Sequence, residues 1–405
     1  MADVAAFYRY YDQLQNDAQG PDGTYHLYAP SQTPPGVAFA LGYTWNAAGV
    51  VIPCQSWLQY GDPKLLEECW PAMKRHAEGM MAMKAEGYRC LTSHIGFLGD
   101  HLSVTDTDPF LMDNAQFYRS MRLVQRAAEV LGFSGDAERF SAFADGLREE
   151  WNAVFVRPDH HTQAADGTLQ DTQASYALPL MCGVFSGEHL PFARKNLAEA
   201  CRRTGYTMTT GFMGTGPLLP ALTEGGEADC AYRLFEQTGY PSWLYPVLNG
   251  ATTVWERWGS YTIENGFGGQ NGMNSFNHYS LGAVAAWMIE YQAGIRRDGG
   301  EHGFRHFILQ PVPGGHFRFV RAVYDSCYGI ISSGWTASDG RLSAYEATVP
   351  PNTAATLYLP IREKDVPQLC GIPGAEYRNM AVHNGIMTAV FSLEPGQYHF
   401  EWRAE

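Results

Sequence analysis

The strongest constraint on this chain is a change of pattern near Arg297. Before it, apolar residues recur at helical spacing; after it, short alternating runs broken by Gly, Pro, Asn or Asp take over. Val4, Phe7, Tyr8, Tyr11 and Leu14 fall on one helical face, as do Leu281, Val284, Ala285 and Met288. Between them the spacing predicts helices near 43–60, 63–85, 110–131, 135–154, 171–184, 189–204, 217–224 and 227–238. The intervening loops are punctuated by Gly, Pro and Asp, as at 21–36 and 251–272. Many helices joined by long loops point to a ring of helix pairs whose loops at one mouth carry the chemistry. A solenoid would need a fixed sequence period, and none is visible. Beyond the switch, seven runs (RHFILQPVP, RFVRAVYDS, YGIISSGWTAS, GRLSAYEATVP, AATLYLPI, IMTAVFSLEP and QYHFEWRAE) read as strands of a small β-sandwich. The expected division is a helical domain over 1–297 and a sandwich over 303–405.

Charge and cysteine usage narrow the function. The formal charge of −14 argues against a nucleic-acid or anionic-membrane surface. No run of about 18 apolar residues is present, so no membrane span is expected. The first residues lack a basic stretch followed by an apolar one, so no signal peptide is read there. Eight cysteines are scattered without a CxxC pair, and several fall on apolar helical faces. Reduced core thiols and a cytoplasmic location are the expectation, with no metal and no cofactor. His160-His161 resembles a metal pair only superficially, because no cysteine or carboxylate cluster accompanies it.

The segment 238–279, TGYPSWLYPVLNGATTVWERWGSYTIENGFGGQNGMNSFNHYS, is the most informative for function. Glu256 lies between Trp255 and Trp258, and His278 follows in an Asn-His-Tyr triplet. Indole faces suit the C–H faces of a pyranose, and a carboxylate beside them can activate a water. This block resembles the catalytic domain of α-L-rhamnosidases of glycoside hydrolase family 78. The resemblance implies an (α/α)6-type helical barrel followed by an antiparallel β-sandwich, a mainly α fold with a β appendage. It implies that Glu256 is the general base of an inverting glycoside hydrolase acting on terminal α-L-rhamnosides. It also implies that His278 bonds sugar hydroxyls.

Other blocks extend the resemblance. YTWNAAGVVIPCQSWLQYGD (43–62) brings Trp45 to the sugar pocket, and Gly99-Asp100-His101 stands where the family presents a Gly-Asp-Trp triplet. Trp45, Asp100, His101, Trp255, Trp258 and His278 are therefore the expected substrate-binding residues. Asp106 and Asp108 read as capping residues of a turn. DTQASYAL (171–178) and TGFMGTGPLLP (210–220) read as tight helix entries, with Thr210 to Thr215 at the cleft rim. Ile308 to Gly314 matches the opening of the family's C-terminal domain.

The chain also departs from the family. Its first twenty residues match neither the acidic loop that carries the family's general acid nor the segment leading into the first barrel helix. Ala47, Cys54 and His101 stand where the family has an aspartate and two tryptophans. The first barrel helix is expected to be absent, with a second copy or a partner chain covering the open position. Proton donation to a leaving group contributes about 10²–10⁴ in rate. A base without its acid leaves three readings: a hydrolase in which Asp100 or His101 substitutes or the leaving group is good, a catalytically impaired sugar-binding or subunit-like homologue, and an altered chemistry such as a lyase.

Overall fold

The structure is a computed structural model that describes residues 6, 9–13, 19–21, 23–25, 43–85, 98–267, 274–300, 302–338 and 341–402. Val4, Phe7, Tyr8 and Leu14, most of the 21–36 loop, Cys90 and the 268–272 part of the 251–272 loop lie outside the described residues. After a short helical turn at Tyr43–Asn46 come α1 (Ala48–Tyr60), α2 (Lys64–Ala85), α3 (Pro109–Val130) and α4 (Ser134–Phe155). They are followed by α5 (Gln173–Cys182), α6 (Leu190–Arg203), α7 (Phe212–Glu224) and α8 (Ala228–Phe235). No helix among the described residues is long and apolar enough to cross a membrane. The chain divides into two compact units. One comprises Met1–Trp57, Asp62–Ala200 and Thr209–Leu218; the other comprises Leu58–Gly61, Cys201–Met208 and Leu219–Glu405.

The first unit is organised around α3. Its start is fixed locally, because Asp108 accepts the Leu111 N–H at 2.9 Å and Pro109 supplies a residue that needs no N–H partner. Residues 111–118 are buried without a break, so this half of the helix has no solvent face. The Tyr43–Asn46 turn, α2, α4 and α5 all pack on α3. Trp151 of α4 anchors that packing: it is fully buried, donates Nε1–H to the Leu111 carbonyl at 3.0 Å, and meets Phe155 and Phe185. Thr172 and Ser175 form a reciprocal capping box at the start of α5. Gly183 ends that helix in the left-handed conformation, with φ +71°.

The second unit contains the β-sandwich. One sheet has the order β1-β2-β6-β8-β7 and the other β3-β4-β5-β9. The strands are β1 (Ile295–Arg297), β2 (His306–Leu309), β3 (Phe319–Ser326), β4 (Gly329–Ser338), β5 (Arg341–Val349), β6 (Ala354–Leu359), β7 (Ala375–His383), β8 (Ile386–Leu393) and β9 (Gly396–Glu401). Phe307, Leu357 and Phe391 of the first sheet share one core with Ile331, Trp335 and Tyr345 of the second. All pairs are antiparallel except β2 with β6.

Four details differ from the sequence expectation. Strand β1 precedes the expected start at 303, and β7 was not among the seven runs. β7 is an edge strand with no fully buried residue, so its apolar alternation is weak. Helix α7 starts at Phe212 rather than 217, for a reason given below. Residues 280–292 are not one α-helix but a 3₁₀ turn (Ser280–Ala283), an α turn (Val284–Trp287) and a π turn (Met288–Gln292). These changes of pitch rotate the buried side to Leu281, Trp287 and Tyr291, while Ala285 and Met288 face solvent.

Five of the seven described cysteines are buried, and Cys327 and Cys370 are exposed; all seven are free thiols. Replacing Trp151 by Ala removes a fully buried indole and its hydrogen bond, so a loss of about 3–5 kcal/mol is expected. Urea unfolding monitored by circular dichroism checks it, and a loss below about 1 kcal/mol would show that α3 and α4 do not depend on this contact.

Candidate functional site

The second unit holds Glu256 in a loop without regular structure, fixed by two kinds of contact. The first is a pairing of chain segments. The Glu256 N–H donates to the Ser275 carbonyl at 2.9 Å, the His278 N–H to the Val254 carbonyl at 2.9 Å, and the Ser275 N–H to Glu256 Oε2 at 2.6 Å. The other carboxylate oxygen, Oε1, accepts no hydrogen bond from the described residues. The second is a set of aromatic edge contacts. Trp258 packs at 79° on Trp243, and Trp243 in turn donates Nε1–H to the Leu281 carbonyl at 2.9 Å. Trp255 meets Phe276 and Tyr261 edge-on. Glu256 is 9% exposed, Trp255 9% and Trp258 4%, so the indoles are mostly consumed in holding the loop.

His278 has a fixed tautomer. Its Nδ1 accepts the Ser280 N–H at 3.2 Å, which places the ring proton of the neutral imidazole on Nε2. The ring stacks on Tyr279, with centroids 5.3 Å apart.

The first unit holds the other candidates. Asp100 is 5% exposed, and both its oxygens are filled: Oδ2 accepts the Gly211 N–H at 2.7 Å, and Oδ1 accepts those of Met213 at 2.9 Å and Gly214 at 2.8 Å. These are N–H groups at the start of α7, which have no acceptor within their own helix. Asp100 therefore caps α7 from a distant loop, at the end where negative charge is favoured. Close approach requires the glycines. A Cβ at Gly211 would lie 2.2 Å from the His101 carbonyl oxygen, and one at Gly214 2.8 Å from Asp100 Oδ2. Burial pushes the Asp100 carboxyl up to about 6 despite the opposing pull of the three N–H groups.

His101, Trp45 and Phe212 meet as an aromatic trio. His101 is edge-on to both Phe212 (5.3 Å) and Trp45 (6.0 Å). The turn carrying Trp45 is tied to α3, where Asp113 Oδ1 accepts both the backbone N–H and the hydroxyl of Thr44. Asp113 is fully buried, its Oδ2 has no hydrogen-bond partner, and burial pushes its carboxyl up to about 7. The same small region leaves Trp45 Nε1, Asn46 Oδ1 and Asn114 Oδ1 buried without partners. Buried polar atoms in native proteins are normally satisfied, which sets this group apart from the rest of the first unit.

The structure thus brings together Trp255, Glu256, Trp258 and His278 in one loop system of the second unit, and Trp45 with His101 in the first. Asp100 is committed to the start of α7. Asp108 caps α3 as expected, while Asp106 is exposed. Thr210 and Thr215 are buried and bonded to each other at 2.8 Å rather than standing at a rim. Two contributors escaped the sequence reading. Ser275 acts through its backbone N–H, which no side-chain motif reveals. Asp113 left a visible trace, since the run Asp113-Asn114-Ala115-Gln116 puts three polar residues into an otherwise apolar stretch of helix.

Comparison with known proteins gives a consistent picture. Residues 1–291 match the family model of the bacterial alpha-L-rhamnosidase 6 hairpin glycosidase domain, and residues 294–369 match the bacterial alpha-L-rhamnosidase C-terminal domain. An alpha-L-rhamnosidase of Streptomyces avermitilis is 34% identical over 86% of this chain, and one of Alteromonas sp. (strain LOR) is 30% identical over 99%. The match spans only 32% and 42% of those two relatives. The solved structure of a Streptomyces avermitilis alpha-L-rhamnosidase complexed with L-rhamnose superposes with a TM-score of 0.83 at 30% identity, covering 98% of this chain and 36% of that one. The helical barrel with an appended β-sandwich read from the sequence is thereby shown.

The two raised carboxyls give a signed prediction. Their folded-state values of about 6 and about 7 exceed the ordinary 3.8. Ionising them is therefore harder in the folded chain, and the folded state loses stability as pH rises from about 4 through about 7. Below about 4 both states are protonated and the contribution vanishes. Asp113→Asn removes one of the two groups, so its urea midpoint should fall less than that of the unmodified chain between pH 4.5 and 7.5. An identical fall in both proteins would rule out Asp113 as a source.

Proposed function

The chain belongs to the bacterial alpha-L-rhamnosidase 6 hairpin glycosidase family, and from that membership we propose that it acts as an inverting glycoside hydrolase on terminal α-L-rhamnosides, with Glu256 as general base. The observation that carries this reading is the half-committed carboxylate of Glu256. Oε2 is held by the Ser275 N–H at 2.6 Å, which fixes the plane of the carboxylate, while Oε1 is left without a partner among the described residues. A fixed carboxylate with one open oxygen suits the holding of a water. In the inverting reaction that water attacks the anomeric carbon opposite the departing oxygen and passes its proton to the base as the bond to the leaving group breaks. His278, which the family resemblance places at the sugar, is proposed as a partner for a sugar hydroxyl. The part of each indole that remains exposed is what can meet the pyranose. Trp45 and His101 are proposed as further sugar contacts, in keeping with the unpaired polar atoms around Trp45.

The leaving oxygen also needs a proton. Asp100 is a poor source, because backbone N–H groups fill both its oxygens. That leaves His101, or a leaving group stable enough to depart with little help, such as a phenolate. The same commitment of Asp100 is the observation that favours the second reading, a sugar-binding homologue with impaired catalysis.

An aryl α-L-rhamnoside and a natural rhamnosyl disaccharide, tested side by side with Glu256→Gln, discriminate these readings. Hydrolysis should fall about 10²–10⁴-fold in the variant, with the aryl substrate turned over faster by the unmodified chain. Turnover that survives the substitution would remove Glu256 from the mechanism. Absence of turnover by the folded, unmodified chain would favour the binding reading.

A further inference from the structure

We propose that a groove beside the Glu256 loop, lined by Tyr240, Tyr245, Gly259, Thr262, Glu264 and Asn265, binds a second sugar unit of the substrate. The inference rests on the hydrolase reading above: if the terminal rhamnose is cleaved, any further sugar lies on the leaving-group side. The groove is about 870 Å³, within the size range of small-molecule sites. Its wall is continuous in sequence with the catalytic loop, since Gly259 lies three residues after Glu256.

The lining has the composition of a carbohydrate site and a rigid frame. Tyr240 and Tyr245 stand at 68° with centroids 5.6 Å apart, forming a corner of two ring faces. Tyr240 is 44% exposed, so its ring is available to a ligand. The facing turn is closed by reciprocal bonds between Thr262 and Gly266 (2.9 and 2.8 Å) and by the Asn265 N–H to Thr262 Oγ1 at 3.1 Å. Tyr245 ties that turn down by accepting the Ile263 N–H at its hydroxyl, 3.1 Å away. Gly259 leaves room for Tyr240, since a Cβ there would lie 2.9 Å from the tyrosine hydroxyl.

The frame uses the backbone and Tyr245, while the Tyr240 hydroxyl, the Glu264 carboxylate and the Asn265 amide make no hydrogen bond to the described residues. Ring faces beside an exposed carboxylate, an amide and a hydroxyl match the alternating C–H and O–H surfaces of a pyranose. A purely aromatic aglycone would leave those polar groups unused.

The test uses three substrates: α-L-rhamnosyl fluoride, whose leaving group is too small to reach the groove, an aryl α-L-rhamnoside and a rhamnosyl disaccharide. In Tyr240→Ala, kcat/KM for the disaccharide relative to the fluoride should fall about tenfold, mainly through KM. Glu264→Gln, an exposed and nearly isosteric change, should lower the same ratio by a smaller factor. Tyr240 is the ring to remove because its hydroxyl carries no bond of the frame, and circular dichroism confirms folding. Unchanged ratios in both variants overturn the proposal, while leaving the hydrolase reading intact. A fall for the aryl substrate alone overturns the assignment to a sugar. If the unmodified chain cleaves none of the three, the hydrolase reading fails, and calorimetric titration with the disaccharide decides the groove. Weaker binding by Tyr240→Ala then supports it, and equal or undetectable binding overturns it.

Discussion

The first unit depends on how one buried carboxylate is satisfied. Removing Asp100 from water costs several kcal/mol unless its oxygens find donors. The start of α7 has the opposite difficulty, because its first N–H groups have no helical acceptors. Bringing the two together removes both liabilities. The geometry then dictates much of its surroundings: the 98–103 loop must touch the chain at 210–214, which only glycine permits at 211 and 214. The contact also sets His101 against Phe212, and Trp45 completes the aromatic trio. A short motif that looks like a ligand-presenting triplet therefore has a structural member at its centre.

The second unit meets a different demand, that of holding the Glu256 loop without helix or strand. Its solution is a relay of aromatic edges. Tyr232 and Phe235 of α8 pack on Trp287, Phe235 reaches Trp243, and Trp243 meets Trp258, two residues from Glu256. Trp287 is itself fixed by Nε1–H to Thr223 Oγ1 at 2.9 Å. The two edge-on contacts, Tyr232 with Trp287 and Trp243 with Trp258, each contribute about 0.5–1.5 kcal/mol beyond burial. The loop thus inherits its position from a helix and from the 280–292 segment. That segment in turn enters the β-sandwich core through Trp335 Nε1–H to the Gln292 carbonyl at 2.8 Å.

What was legible in the sequence follows from where the determining interaction lies. Helices α2 to α6 were readable because their apolar content is local in the sequence, and α3 and α5 also start on local caps, Asp108 and the Thr172–Ser175 box. The start of α7 was not, since Gly214, Gly216 and Pro217 argue against a helix and the cap that overrides them comes from residue 100. β7 carries little apolar alternation because none of its residues is fully buried. In the 280–292 segment, two changes of helical pitch defeat any single period. At the candidate site, Glu256 and its indoles were conspicuous by residue type. Ser275 was invisible because it contributes only a peptide N–H, and Asp113 was missed despite the polar run around it. The family resemblance gave the residue types their meaning, but it could not show that Asp100 is committed to α7.

The contrast between Asp100 and Glu256 carries the functional argument furthest. Both are nearly buried carboxylates on loops, and both accept backbone N–H groups. Asp100 receives three, with both oxygens engaged in holding the start of α7. Glu256 receives one, on one oxygen, and its other oxygen accepts no hydrogen bond from the described residues. The open oxygen is what the proposed role of general base calls for, and the environment of the two groups, more than their shared chemistry, separates the structural acid from the proposed base.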